Sequence, residues 1–274
     1  MTLAPHVHPD SPHFPGDSSP QPAFGAVDAL RSLGIWAIGA PHLLGWAAFV
    51  TLAAKLGATR RIDPALKLMS RTVPALCGVR IRIENQARIP ANAPVVYVAN
   101  HVNIFDMFAL YRTIPGYARS LELAEHFSWP IFGAFITAAG QIPIDPGDAR
   151  LTAKGLKRAA DMLRQGDSVV VLPEGERTLD GSVGPFFPGA FRLAIGAEVP
   201  VVPLGIFGGR AISRRGDWRI RPGTMTVRVG EPVPTSKLTL RDAGALAQTC
   251  RQRIIALLQG ETSPSSGEDA RHPL

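Results

Sequence analysis

From residue 79 onward, short apolar runs alternate with longer stretches in which apolar positions recur every three or four residues. The runs "VRIRIEN", "VVYVAN", "QIPID", "SVVVLPE", "VPVVPLGI" and "TMTVRVG" have the length and β-branched content of strands. Between the third and fourth, "DARLTAKGLKRAADMLRQG" places Leu151, Leu156, Ala159, Met162 and Leu163 on one helical face, and Gly166 is a natural stop. A last pattern sets Leu246, Cys250, Ile254, Leu257 and Leu258 along one face of a C-terminal helix. Strands that are apolar at successive positions need cover on both faces. The pattern therefore predicts an α/β fold: a mostly parallel central sheet flanked by helices.

A different pattern precedes the sheet. The stretch "SLGIWAIGAPHLLGWAAFVTLAA" contains no Asp, Glu, Lys or Arg. At about 1.5 Å per residue, a helix of that length could cross a hydrocarbon core about 30 Å thick. It begins too late, and lacks the basic lead-in, for an ordinary cleaved signal peptide. Pro41 and His42 near its centre predict a kink, or two short helices dipping into one leaflet, with Trp36 and Trp46 at headgroup level. The basic segment "KLGATRRIDPALKLMSRTVPAL" follows and favours the cytoplasmic face and anionic headgroups. A buried core helix is the alternative. The Pro- and Ser-rich ends cannot bury enough apolar surface to offset their ordering entropy. The expected organisation is a disordered tail at 1–25, a membrane-associated helical segment at 26–74, the main domain at 75–260 and a second disordered tail at 261–274.

Charge narrows the class of partner. Twenty-nine Lys and Arg against 22 Asp and Glu leave a net charge of +7. That balance favours anionic partners. With no zinc-finger spacing, aromatic RNA-binding signature or helix-turn-helix, no nucleic acid is expected, and an acidic lipid surface fits the charge better. Cys77 and Cys250 share no motif spacing, so a disulfide framework is not expected.

Functional groups in such sheets gather where strands end. Three exits here carry unusual residues: "NHVNIFD" at 100–106, "GQIPIDPGDAR" at 140–150 and "LPEGERTLDG" at 172–181. A carboxylate bonded to one nitrogen of a histidine fixes the tautomer and stabilises the imidazolium, so His101 and Asp106 form the general-base half of a catalytic triad. Ser120 and Thr113 sit in no nucleophile elbow, and the substrate can supply the hydroxyl. Alone, the pair reads equally well as a structural hydrogen bond or a helix cap. No second His or Cys stands at ligand spacing, so no metal is expected. In the third exit, Arg177 offers a planar fork for phosphate or carboxylate, Glu174 can orient it, and Gly175 permits close backbone approach.

Taken together, these blocks resemble those of the glycerolipid acyltransferases, the 1-acylglycerol-3-phosphate acyltransferase family. "NHVNIFD" is similar to its N-H-x4-D block, and "GQIPID" to the G-x-I-F-I-D-R block. "LPEGERTLDG" with "PFFPGAF" resembles the F-P-E-G-T-R-S block with its later F-K-x-G-A, and "VPVVPLGI" resembles V-P-I-V-P-V. The resemblance spans roughly residues 75–235. It implies an acyltransferase domain at 75–260 that moves a fatty acyl group from a thioester of acyl carrier protein or coenzyme A to a lysophospholipid hydroxyl, with no cofactor beyond that co-substrate. His101 would be the base and Asp106 its orienting partner. Asn100, Asn103, Glu174, Gly175, Arg177, Asp145 and Arg150 would contact substrate, with backbone N–H groups around Asn103 or Gly175 as candidate oxyanion donors. Bacterial members attach to the membrane by an N-terminal helical pair, which implies membrane lipids as partners and an inner-membrane location with the domain on the cytoplasmic face.

Two departures bear on the acceptor. Pro146 follows Asp145 where the family carries an arginine, and Glu176 stands where it carries a threonine. They keep open another lysolipid, such as lyso-ornithine lipid, beside 1-acylglycerol-3-phosphate. A non-catalytic lipid-binding module and a thioesterase using the same pair are the further alternatives.

Overall fold

The apolar runs assemble into one seven-stranded sheet whose alternate residues enter two different cores. The computed structural model describes residues 23–57, 60–91 and 93–260. The strands are β1 (Val79–Glu84), β2 (Val96–Ala99), β3 (Ala118–Leu123), β4 (Ile142–Ile144), β5 (Ser168–Val171), β6 (Val201–Phe207) and β7 (Gly223–Val229). Helices α1 (Ala26–Lys55) and α2 (Asp63–Leu76) precede them; α3 (Asp106–Thr113), α4 (Phe132–Ala138), α5 (Ala149–Arg164), α6 (Gly189–Gly196) and α7 (Gly209–Ile212) lie between; α8 (Ala243–Gln259) follows. The strand order is β1-β7-β6-β2-β5-β3-β4. Every neighbouring pair is parallel except β6 with β7, so β1 and β7 run against the other five.

The central strands show why successive positions are apolar. Val96 and Val98 of β2 and Val169 and Val171 of β5 join Ala159, Phe191 and Ile254 from α5, α6 and α8 on one face. Tyr97, Ala99 and Val170 enter the opposite core with Ala109 and Leu110 of α3. As expected from its pattern, α5 is a single amphipathic helix, and Gly166 beyond it has φ +86°. Cys77 and Cys250 are free and buried, and burial pushes the Cys250 thiol up to about 12.

Of the two forms expected for the N-terminal segment, a kinked helix or two short ones, the second is removed. The segment is one uninterrupted 30-residue helix with Pro41 inside it. A third apolar cluster explains its seat: Val50, with Trp46 and Ala53 beside it, packs on Ile62 just before α2, on Leu66 and Val73 of α2, and on Phe135. His42 Nε2 meets Thr72 Oγ1 at 3.1 Å, so α2 doubles back along α1. Towards its start, α1 is tied to the 213–221 segment: Ser32 Oγ accepts from Ile220 N (2.8 Å), and Asp28 pairs with Arg221 at 2.6 Å. Phe24, placed in the expected tail, is buried at 8% exposure and lies under the guanidiniums of Arg219 and Arg221. The rest of both tails, 1–22 and 261–274, lies outside the described residues.

Candidate active site

The site begins where β2 leaves the sheet. Asn100 is 1% exposed, and its amide spans the next rung: Nδ2 donates to Ile206 O (2.8 Å) and Oδ1 accepts from Ile206 N (2.7 Å). This side-chain rung extends the β2–β6 pairing by one residue and turns His101 out of the sheet. Asn103, also 1% exposed, accepts from Phe105 N (2.7 Å) and donates through Nδ2 to Gly209 O (2.5 Å) and Ser213 Oγ (3.0 Å). Both asparagines were expected to touch substrate. Instead they hold the loop: their amides are committed inside the protein, where a free polar group would be costly.

That loop delivers Asp106 to the first turn of α3. One carboxylate oxygen, Oδ2, accepts from His101 Nδ1 (2.7 Å), Val102 N (2.7 Å) and Asn103 N (2.8 Å). Asp106 is fully buried, whereas the His101 side chain is 22% exposed, and its Nε2 makes no hydrogen bond among the described residues. The ring is therefore fixed at Nδ1 and open at Nε2, as a general base requires.

The turn after β5 closes against the same histidine. Glu174 Oε1 accepts from His101 N and Oε2 from Gly184 N, both at 2.8 Å, and Thr178 N donates to His101 O at 2.8 Å. Burial drives the Glu174 carboxyl up to about 7 against the pull of its two N–H donors. Its expected role as a substrate contact is thus replaced by a positioning one. Gly175 sits at φ +76°, a conformation that disfavours any side chain, and lets the turn fold back tightly. The half-buried Arg177 guanidinium makes no hydrogen bond or ion pair among the described residues. Burial, and then the neighbouring Arg215 charge, lower its pKa.

The second exit does not reach the dyad. Asp145 Oδ1 accepts from Gly147 N at 2.8 Å in a tight turn, and Arg150 is exposed in the first turn of α5, its N–H held by Asp148. In the sheet β4 stands three places from β2, about 14 Å at ordinary strand spacing. Of the N–H groups around the two expected oxyanion positions, Asn103 N is bound by Asp106 and Gly175 N donates to Leu172 O.

Beside the dyad lies a cavity of about 160 Å³, with Ile104, Met107 and Phe108 near the first turn of α3 and Leu66 and Phe135 opposite. Its polar floor is closed upon itself: Ser120 Oγ donates to Gln141 Oε1 (2.9 Å), and Gln141 Nε2 donates to Tyr111 Oη (2.8 Å). The cavity escaped the sequence reading, because it belongs to no motif with fixed spacing.

Comparison with known proteins now bears on this geometry. Residues 80–207 match a family model described as Acyltransferase. Human 1-acyl-sn-glycerol-3-phosphate acyltransferase alpha is 32% identical over 205 residues, 74% of this chain and 72% of the human one. The chain belongs to this acyltransferase family. A 1-acyl-sn-glycerol-3-phosphate acyltransferase of Chlamydomonas reinhardtii is 32% identical over 182 residues, and the match spans about half of that longer chain, 53%. Among solved structures, the 1-acyl-sn-glycerophosphate acyltransferase PlsC of Thermotoga maritima superposes with a TM-score of 0.71 at 20% identity, over 86% of this chain and 98% of that one. The acyltransferase fold thus includes α1 and α2 as well as the sheet. The apolar α1 accords with membrane association, and among the described residues it is the one helix long and apolar enough to cross a bilayer.

Proposed function

We propose that this acyltransferase moves a fatty acyl group from an acyl thioester, carried on acyl carrier protein or coenzyme A, to the free hydroxyl of 1-acylglycerol-3-phosphate in phospholipid synthesis. The observation that carries the reading is the His101–Asp106 pair, fixed at Nδ1 and open at Nε2, in a chain whose relatives bear that activity in their names. His101 Nε2 removes the proton from the acceptor hydroxyl, and the oxygen attacks the thioester carbonyl. Asp106 balances the imidazolium so formed. The proton then passes to the leaving thiolate as the tetrahedral intermediate collapses. Arg177, cationic and half-buried beside the dyad, serves the acceptor headgroup. The apolar cavity next to α3 takes part of an acyl chain. The reading uses no metal or other cofactor.

The seat of α1 supports a membrane-surface location. It is bound to the domain near its start and again around Val50. A crossing orientation would drag the charged domain surface into the hydrocarbon, which favours α1 lying along one leaflet; the basic run after Lys55 supports placing that leaflet at the cytoplasmic face of the inner membrane. The test is mass spectrometry of purified protein in vesicles, given an acyl thioester and a mixed lysolipid pool. Diacylglycerol phosphate is the expected product. Free fatty acid without an acylated lipid would overturn the reading in favour of a hydrolase, and acylation of another lysolipid instead would overturn the acceptor.

A further inference from the structure

The basic residues of the 209–221 segment are not scattered over the surface. Asn103, from the loop that carries the dyad, grips this segment at Gly209 O, Ser213 O and Ser213 Oγ. An added Cβ at Gly209 would stand 2.9 Å from the Asn103 side chain, so the two backbones are locked together. Arg210 then donates to Asp180 O and to Leu179 O (3.1 Å), and Arg215 Nη1 donates to Arg177 O at 3.1 Å. The segment is thereby stapled to the Glu174–Asp180 turn, which itself holds His101 through Glu174 and Thr178.

This arrangement seats the Arg215 guanidinium on the main chain of Arg177, in the turn that holds His101. Arg177 has no anionic partner among the described residues, and the Arg215 charge acts on it directly. Arg215 is occupied by one contact to a carboxylate, Nη2 to Glu176 Oε2 at 2.5 Å, with Glu176 59% exposed. An ion pair so open to solvent contributes little and is readily exchanged. Two like charges held close, one of them half-buried, gain most from an anion of high charge that can bridge them. A carboxylate brings one charge; a phosphate monoester brings close to two and more oxygens.

We propose that Arg215 is a specificity residue for the acceptor: with Arg177 it clamps a phosphate-monoester headgroup, and Glu176 is the counter-ion that holds Arg215 until the phosphate displaces it. The assignment rests on the acceptor reading given above and names the residues that would confer it. Glu176 then competes with the headgroup instead of supporting the fold.

Steady-state kinetics on 1-acylglycerol-3-phosphate in vesicles test this with Arg215→Gln, Arg215→Lys and Glu176→Gln. Arg215→Gln is expected to raise KM about 10- to 100-fold, the range set by one charge-assisted hydrogen bond, with kcat changed far less. Arg215→Lys should recover part of the loss, because it restores the charge without the fork. Glu176→Gln should lower KM or leave it unchanged. A merely structural ion pair would make Arg215→Gln and Glu176→Gln shift KM in the same direction; that result, or a KM in Arg215→Gln equal to wild type, would overturn the assignment alone. A wild-type protein that acylates other lysolipids and not the phosphate would overturn the acceptor reading and this assignment with it.

Discussion

Three donors converge on one oxygen of Asp106, and only one of them, the His101 Nδ1–H, belongs to the chemistry. The other two are backbone N–H groups that fix the carboxylate before the histidine reaches it. Asp106→Asn would keep one oxygen for these donors, but it would remove the charge that balances the imidazolium, bury an NH2 where Oδ1 has no partner, and, if the amide flips, favour the wrong tautomer of His101. Turnover is expected to fall about 10²- to 10⁴-fold with the fold intact, measured as thioester consumption beside circular dichroism; unchanged turnover would remove Asp106 from the mechanism. His101→Ala should lose activity at least as far. Glu174 gives a prediction in pH. Folding lifts its carboxyl from 4.5 to about 7, so unfolding releases a proton between those values. The group's contribution to stability is present below pH about 4.5 and is lost as pH rises through about 7. Glu174→Gln should flatten the decline in the denaturation midpoint between pH about 4.5 and 7, and an equally steep decline would show that the carboxyl does not titrate there. At this scale the sequence was legible where chemistry demands a fixed spacing, as in His101 and Asp106. It misled at Asn100 and Asn103, because a polar side chain beside a catalytic histidine reads alike whether it faces a ligand or a backbone.

Elements were legible in proportion to their apolar continuity. Five of the strands announce themselves by unbroken β-branched or alternating runs, and β4 by a shorter one. β3 does not, since "ARSLEL" carries Arg119 and Glu122 within six residues. Yet Arg119 is wholly buried, its Nη1 on Asp63 Oδ1 at 2.8 Å and its guanidinium 3.8 Å from the centre of the Tyr117 ring. The partner lies at the start of α2, 56 residues earlier, and no local pattern could have revealed it. Removing one member of such a pair strands a buried charge. Asp63→Ala is expected to destabilise the fold by about 3 kcal/mol, read as a drop in the chemical denaturation midpoint. Arg119→Met combined with Asp63→Asn should recover part of that loss. If the single variant is as stable as wild type, the pair does not anchor β3. The reversal of β1 and β7 was equally hidden, because strand direction depends on the length and path of connections rather than on the composition of the strands.

Across the whole molecule, the face of α1 turned away from the domain is apolar from Leu33 to Leu52, with the exposed Arg31 near its start. Leu30, Leu33, Ile38, Leu44, Phe49 and Leu52 are all at least 48% exposed, and Ile131 continues the surface beside its far end. A patch this long on a soluble surface calls for a partner, and a lipid leaflet suits a stripe that ends in Lys55 and the basic run after it. The contacts that tie α1 down at Asp28, Ser32 and Val50 constrain how that leaflet can be met. A helix held at both ends against a folded domain must lie flat, with every part of its exposed face at similar depth. A spanning helix would place Leu44 near the bilayer centre and its ends at the two surfaces. Single tryptophans placed at Leu30, Leu44 and Leu52, in a background with the native Trp36, Trp46, Trp129 and Trp218 replaced by Phe, should therefore be quenched by brominated lipids at one shallow depth. Deep quenching at Leu44 alone would mean that α1 leaves the domain and crosses the membrane. The same geometry predicts that Leu44→Glu, Phe49→Glu and Leu52→Glu each weaken partition into vesicles by roughly tenfold or more, since each removes a side chain that inserts. Raising salt should weaken binding to anionic vesicles through the basic residues alone and leave this apolar contribution in place.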